Sequence, residues 1–509
     1  MQGGLAGFAN RFRYAGKDDT FFLTTLVVRS KGSCMKLLSA LLSATLPAVV
    51  CTALCLGPPA ARASTCSVPA AIPNDGLDDR AAIQQALDKQ GCAYLPAGVY
   101  DIETPSFVPP ARRIYAMLTL NGARLYGDGP ASQLRFKGSA GRQDWEGVRL
   151  TGAAPALHDL SMDTASISVT GEQTHASKIL GPASDAEVFN MSYTHPQRGE
   201  PGGDCVQLVG YAASLITNAR IHDNDFLQCD RSGVAIHSGA HGLQIINNQF
   251  HDTGDQDVDG EGSGENIDWL IARNTFSLGR APQGDFALQL QLATNVRVSE
   301  NLFAGRGIFA YSCTRCEFDH NEITRTTGTA GTGVVEISKA SPYNQIHDNF
   351  IRRAATAGDG PVIRLVPHNS GTPDHATITN NVLRQETTGD VIYSVGLVGL
   401  TIEYNDVTYA GGANVRYGLL AYGSAGTYGI RTTDLHVNAN AWKGPLKAVI
   451  GISGSYMGAG TLAATLNSAA VTGVICGNIN TAGGIQGPFN VVANSWLPSV
   501  CSPLIGPGQ

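Results

Sequence analysis

Charge is scarce in this chain. Asp, Glu, Lys and Arg make up 15% of its 509 residues, and the mean hydropathy is −0.03. Together with 60 Gly, this describes a soluble chain of short strands and tight turns rather than membrane spans. A basic surplus is also lacking. Beyond residue 63 there are 28 basic and 40 acidic residues, a net charge of about −12. That sign repels nucleic acid, and a polyanionic substrate would need local cations or a metal. No Leu-rich consensus recurs at roughly 20 to 29 residues and no apolar residues recur at helical spacing, which speaks against a leucine-rich horseshoe or helical repeats. No second cysteine pair with ligand spacing accompanies Cys313-x-x-Cys316, which counts against a zinc site there.

What is present is a repeat. Asn224, Asn248, Asn274, Asn301, Asn321, Asn349, Asn381, Asn405 and Asn440 each have Ile, Val or Phe three residues before and a large apolar residue two residues after. The preceding set runs from Ile221 to Val437 and the following set from Phe226 to Trp442. Such short units cannot bury their own apolar side chains and must stack on neighbours. A strand, a sharp turn at Asn and a second strand fit each unit, because Asn tolerates left-handed backbone and its amide can bond the Asn of the next coil. The implied fold is all-β, a parallel β-helix, with the asparagines in one column at roughly 4.8 Å per coil.

The chain divides into four segments. Residues 1–34 read as an upstream extension without fold signal. Residues 35–63 read as a secretory signal: Lys36, an apolar run from Leu37 to Leu56, and Ala61-Arg62-Ala63 before Ser64. The alternative, a membrane anchor, is disfavoured by Pro47 and Gly57-Pro58-Pro59. Residues 64–444 form the β-helix, and residues 445–509, rich in Gly, Ala, Ser and Thr, read as a cap or tail. The expected location is secreted or periplasmic, with no membrane association after signal removal. Eight cysteines remain beyond the signal, and an even number in an exported chain suggests disulfides. The simplest pairing joins sequence neighbours: Cys66 with Cys92, Cys205 with Cys229, Cys313 with Cys316, and Cys476 with Cys501. Free, partly buried thiols are the alternative, and for Cys313 and Cys316 a redox or zinc half-site.

The stretch Asn74-Asp75-Gly76-Leu77-Asp78-Asp79, with Ile83 and Leu87 on one helical face, is followed by Tyr94-Leu95-Pro96-Ala97-Gly98-Val99-Tyr100. It resembles the N-terminal signature of the pectate lyase and polygalacturonase superfamily. That resemblance implies a single-stranded right-handed parallel β-helix with an N-terminal capping helix, begun by Asp78, that shields the first strand edges. It is silent on chemistry. Gly203-Asp204-Cys205 and Gly239-Ala240-His241-Gly242 match the polygalacturonase motifs D-D-C and G-H-G too poorly to transfer roles.

Function must come from the site. A second set of strands can be stacked so that Gln207, Ala235, Asp259, Gln289, Phe309, Glu336 and Arg364 form an outward column, with His237, Glu261, Gln291 and Tyr311 beside it. Such a strip offers hydrogen bonds for hydroxyls, a ring for stacking and carboxyls for proton transfer. We therefore expect Gln207, Gln289, Gln291, Tyr311, Glu336 and Arg364 to bind substrate. Asp257, Asp259 and Glu261 would share one strand face, neighbours roughly 6.5 Å apart, and His237 would lie one rung away, so these four are the expected catalytic residues. A solvated acidic loop is the plain alternative. Asp255, Asp257 and Asp259 also resemble the start of a calcium loop, although Asn266 stands where an EF-hand needs Glu. Trp269 shares the face of Ile271 and is assigned to the core. No cofactor beyond calcium is expected.

The reading that follows is an exported enzyme degrading a polysaccharide or oligosaccharide. Glycoside hydrolysis through Asp259 and Glu261 is slightly preferred over β-elimination through His237 or Arg364 with calcium. A uronate C5-epimerase is close behind, and a non-catalytic carbohydrate-binding surface or adhesin β-helix is the alternative from another class. The repeat does not decide between monomer and homotrimer.

Overall fold

The asparagines stack. In the computed structural model, which describes residues 66–492 apart from 105–113, 142–143, 170–172, 196–202, 263–265, 279–283, 369–370, 412–416, 423–431, 447, 454–461, 466–467, 472–478 and 483–488, the Asn248 backbone N–H donates to Asn274 Oδ1 at 2.9 Å. Its Nδ2 donates to the same oxygen at 3.0 Å and to the Ile221 carbonyl at 2.9 Å. The same pattern links each ladder member to the next, from Asn224 to Asn248 and finally from Asn405 to Asn440. All nine side chains are buried, so each amide satisfies its bonding capacity only through its neighbours.

The turn itself is displaced by one residue from the sequence expectation. The left-handed residue is the one before each ladder Asn: Asp223, Asn247, Arg273, Glu300, His320, Asp348, Asn380, Tyr404 and Ala439 all have φ between 54° and 57°. Asn is thus required for its inward amide and not for its backbone tolerance.

On either side of this turn run short strands that pair in parallel, each with the next coil. The predicted apolar sets form two inward columns. Ile221, Ile245, Ile271, Val298, Phe318, Ile346, Ile378, Ile402 and Val437 are in register, and so are Phe226, Phe250, Phe276 and Phe303. Those four rings stack at 4.6, 5.0 and 4.4 Å. A second sheet closes the coil, and its inward residues Val206, Val234, Val258, Leu288, Ile308, Val335 and Ile363 are buried and in register. The core is therefore one continuous apolar rod, extended by each coil.

A helix, α1 (Arg80–Gln90), precedes the first strand, with Ile83, Ala86 and Leu87 buried. Asp78 accepts the Arg80 N–H at 3.1 Å, while Asp79, the residue adjoining the helix, accepts the amides of Ile72 and Asp101 at 3.0 and 3.1 Å. The helix start and the strand Gly98–Thr104 are thereby tied together. Gly91 closes the helix in the left-handed conformation. Disulfides join Cys66 to Cys92, Cys205 to Cys229 and Cys313 to Cys316, as neighbour pairing predicts; the Cys476–Cys501 assignment lies outside the described residues, as do the upstream extension and the signal at 1–63.

The composition change at residue 444 does not end the strand pairing. Ala448–Ser453 pairs with Tyr417–Tyr422 and with Ile479–Ala482, and Leu462–Thr465 pairs with Leu435–Asn438 and Phe489–Val492. Parallel pairing of short strands therefore continues beyond residue 444, into the segment read from composition as a cap or tail.

Candidate active site

Strand Val258–Gly260 carries the chemistry. Val258 and Gly260 point inward; a side chain at Gly260 would meet the Trp269 ring at 3.2 Å. Trp269 is buried, as its core assignment required, and donates Nε1–H to the Ala240 carbonyl at 2.8 Å. The apolar filling comes from Trp269, further along the same coil, which leaves Asp259 and Glu261 to flank a glycine. The column Gln207, Ala235, Asp259, Gln289, Phe309, Glu336, Arg364 is in the predicted register and runs on to Tyr393.

Asp259 is 2% exposed and accepts Gln289 Nε2–H at 3.0 Å. Its carboxyl also shares a hydrogen bond with Glu261. Burial first, and the Glu261 charge second, push Asp259 far above the ordinary carboxylic range. Glu261 moves the other way. The His237 imidazole beside it, with Nδ1 3.9 Å from Oε2, is the largest cause, and Arg231, with Nη1 3.9 Å from Oε1, adds to it. The result is one carboxyl that keeps its proton at neutral pH and one that stays ionised, in contact. The roughly 6.5 Å expected from strand geometry does not describe the carboxyls, which share a hydrogen bond; Glu261 lies just beyond the strand Val258–Gly260.

Behind this pair lies a charged network. Arg231 Nε and Nη2 donate to Asp204 Oδ1 and Oδ2 at 2.8 and 3.0 Å. Asp204 is fully buried and also faces His175 Nδ1 at 3.0 Å. Although burial opposes ionisation, His175 and Arg231 hold the Asp204 carboxyl down at about 2. One rung further, Lys178 Nζ lies 3.1 Å from Glu146 Oε1 and Arg149 Nε lies 2.6 Å from Oε2. Of these residues only Asp204 was noticed in the sequence, in Gly-Asp-Cys, and no role followed from it. The rungs that carry Glu146 and His175 precede the first ladder Asn; Met191 occupies the equivalent slot, its N–H donating to Asn224 Oδ1, so the repeat frame does not reach them.

Asp257 stands apart from Asp259 and Glu261. It is buried at the strand entrance, 2.8 Å from Arg306 Nη2, and accepts Thr253 Oγ1–H at 2.6 Å; burial raises it to about 6 despite the cation. This places it as a brace: Arg306 also holds the Asp255 carbonyl and Thr253 Oγ1, fixing the loop that delivers the strand. The calcium trio does not converge, since Asp257 turns to Arg306 and Asp259 to Gln289 and Glu261. Among the described residues no group of three or more His, Cys, Asp or Glu side chains is arranged to hold a metal ion.

The predicted binding residues fall in two places. Gln207 is buried beside Gln173, its Nε2 3.4 Å from Gln173 Oε1. Gln289 is on Asp259, and Gln291 pairs in register with Tyr311. Tyr311, Glu336 and Arg364 line a separate cavity of 500 Å³ with Phe309, Ser338, Val366, Pro367, His368, Tyr393 and Val395. There Arg364 is ion-paired with Glu336, and Lys339 lies over the Tyr311 ring at 4.3 Å. Arg364 and His237, the two residues offered for β-elimination, are thus several rungs apart. His241 of the Gly-Ala-His-Gly stretch lies in the short strand Ala240–His241, flanked by Gly239 and Gly242 with positive φ.

The raised Asp259 carboxyl has a consequence for stability. A folded-state value above that of a free Asp, about 3.9, means that stability falls as pH rises from there through the folded-state value. Asp259→Asn removes that loss while keeping an acceptor for Gln289. The variant should gain on the order of 1 to 3 kcal/mol over wild type at pH 8 and little at pH 4, readable by denaturant unfolding at the two pH values. An equal difference at both would contradict a buried, protonated Asp259.

Residues 187–351, which include Asp204, Arg231, His237, Asp259 and Glu261, match the family described as "Right handed beta helix region". The chain is a right-handed parallel β-helix. No curated protein matches it in sequence. Among solved structures it is similar to a mutant tailspike protein of the E. coli bacteriophage HK620 in complex with a pentasaccharide, at 12% identity and a TM-score of 0.53, over 82% of this chain and 76% of that one. It is also similar to the A-module of a mannuronan C-5 epimerase from Azotobacter vinelandii, at 15% identity and a TM-score of 0.39, over 85% and 98% of the two chains. A third is PfbA, a surface adhesin of Streptococcus pneumoniae, at 11% identity and a TM-score of 0.40, over 86% and 94%. At these identities the likeness concerns the fold alone. Among the described residues no helix is long and apolar enough to cross a membrane.

Proposed function

We propose that this β-helix is an exported carbohydrate-active enzyme that cleaves a polysaccharide, with Asp259 as general acid and Glu261 as base or nucleophile. The observation that carries the reading is the Asp259–Glu261 contact, in which burial holds a proton on one carboxyl while His237 and Arg231 keep the other ionised. Asp259 would protonate the glycosidic oxygen as the bond breaks, and Glu261 would take a proton from water or attack the sugar carbon. Glu261 and His237 are partly exposed, so an incoming sugar can displace the Glu261 side chain and open the roughly 5 Å or more between carboxyls that hydrolysis requires. Three disulfides support the exported location.

The contact itself favours a second reading. Carboxyls that touch, with His237 and Arg231 beside them, also suit β-elimination, in which one group removes a carbon-bound proton and a neighbour protonates the leaving oxygen. Incubation with a panel of polysaccharides, following reducing ends and the ultraviolet absorbance of unsaturated uronates, separates the two. Hydrolysis predicts reducing ends alone, elimination both signals; neither signal from any glycan would leave a C5-epimerase or a binding protein.

The cavity at Tyr311 and Arg364 lies two to four rungs from Asp259, at roughly 4.8 Å per rung, a span of several sugar units. A glycan lying along the column would reach both. Tyr311→Ala should therefore lower kcat/KM about tenfold on long chains, the loss of about 1.4 kcal/mol of binding, and leave the shortest cleaved oligosaccharide unaffected. An equal loss on both lengths would place Tyr311 outside a distal binding site.

A further inference from the structure

Arg231 enters the site with its orientation already fixed. Nε and Nη2 form a two-pronged bond to Asp204, a geometry that consumes one edge of the guanidinium and aims the remaining Nη1 at Glu261 Oε1, 3.9 Å away. Asp204 is held in turn. It is buried without exposure, accepts the Ser232 N–H at 3.3 Å and faces His175 Nδ1 at 3.0 Å. Arg231 is only partly exposed, so its charge acts on the carboxyl pair with little screening. The arrangement joins three consecutive rungs, carrying His175, Asp204 and Arg231, and ends on the fourth, where Asp259 and Glu261 sit.

We propose that Arg231 is a positioning residue: clamped by Asp204 and backed by His175, it directs its free Nη1 at Glu261 and so sets the pH range in which the Asp259–Glu261 pair works. This rests on the acid–base reading of that pair. The groups facing the pair are few enough to assign. From the preceding rung come Arg231 and His237, from the rungs before it Asp204 and His175, from the loop entering the same strand Asp255, and from the following rung the uncharged Gln289. Arg306 is engaged with Asp257 and the Asp255 carbonyl. Arg231 favours the ionised form of both carboxyls and Asp204 opposes it. Removing one or the other must therefore act in opposite directions.

The test is the pH dependence of kcat for full-length wild type, Arg231→Gln, Asp204→Asn and Arg231→Lys on the polysaccharide found by the panel. In wild type the acid limb reports Glu261 and the alkaline limb Asp259. Arg231→Gln should move both limbs to higher pH by about one unit. Asp204→Asn, which frees the guanidinium from its counter-charge, should move both to lower pH. Arg231→Lys should keep the limbs near their wild-type positions while lowering kcat, since an ammonium restores charge without the fork. KM should change less than about twofold throughout, because these residues act on the pair and not on the sugar. Shifts in the same direction for Arg231→Gln and Asp204→Asn, or a loss of kcat with the limbs in place in both of these variants, would overturn the proposal and leave an ion pair that holds adjacent rungs together. If Arg231→Gln does not fold, limbs lowered in Asp204→Asn and unmoved in Arg231→Lys support the proposal, and limbs unmoved in Asp204→Asn overturn it. The acid–base reading fails separately, by full activity of Asp259→Asn. An inactive Asp259→Asn with unmoved profiles refutes only the role of Arg231.

Discussion

Asp259→Asn is expected to lower turnover by about 10²- to 10⁴-fold, the usual worth of a positioned general acid, while the protein folds as well as wild type or better. Asn fills the same space and still accepts the Gln289 amide, but it cannot release a proton to a leaving oxygen. Glu261→Gln should cost a similar factor for the opposite reason, since the amide can neither accept a proton nor attack. It also removes the charge that His237 and Arg231 face. Double substitution should cost little more than either single one, because the two groups act as a unit. Initial rates with wild type and the three variants, alongside circular dichroism spectra, check this. Near wild-type activity in either single variant would remove the pair from the mechanism and turn attention to His237→Ala.

Asn274→Ala should destabilise the coil by about 3 to 5 kcal/mol. Asn274 Oδ1 accepts from both the amide and the side chain of Asn248, and its Nδ2 donates to the Ile245 carbonyl and to Asn301 Oδ1. Truncation leaves those partners unsatisfied in a dry interior, each at a cost of about 1 to 3 kcal/mol, and opens space within the core. The exposed Gln249, one coil earlier, serves as control: Gln249→Ala should stay within about 0.5 kcal/mol. Urea unfolding of the two variants gives the comparison. Similar midpoints would mean that the ladder follows from the coil without supporting it.

The repeat was legible because a buried amide ladder imposes one residue type at one slot, and the apolar residues three before and two after it have no other place than the core. The same logic read the outward column of the second sheet to the residue, since period-two alternation fixes every side once one aliphatic set is inward. The turn was misplaced by one position because Asn suits both left-handed backbone and buried ladders, and the residues that do adopt positive φ include Arg273, Glu300 and Tyr404, which carry no turn signal. Separation of Asp259 from Glu261 was misjudged because it depends on side-chain rotation at the end of a strand, not on the strand. Asp257 was grouped with them by alternation, yet Arg306, some fifty residues on, decides where it turns. His175, Lys178 and Glu146 went unseen since no ladder Asn marks their coils. Arg231 precedes its strand in a loop, where spacing says nothing about direction.

The most direct test of the central claim needs no substrate. Carbon-13 labelling of the Asp and Glu carboxyls, with resonances assigned by Asp259→Asn and Glu261→Gln, reports the protonation of each group in the folded protein. The account predicts that the Asp259 resonance titrates at about 8 and the Glu261 resonance below the ordinary Glu value of about 4.3, each moving when the other is replaced. Both resonances titrating independently near 4 would contradict it, since the chain would then hold two ordinary carboxylates in place of an acid and a base.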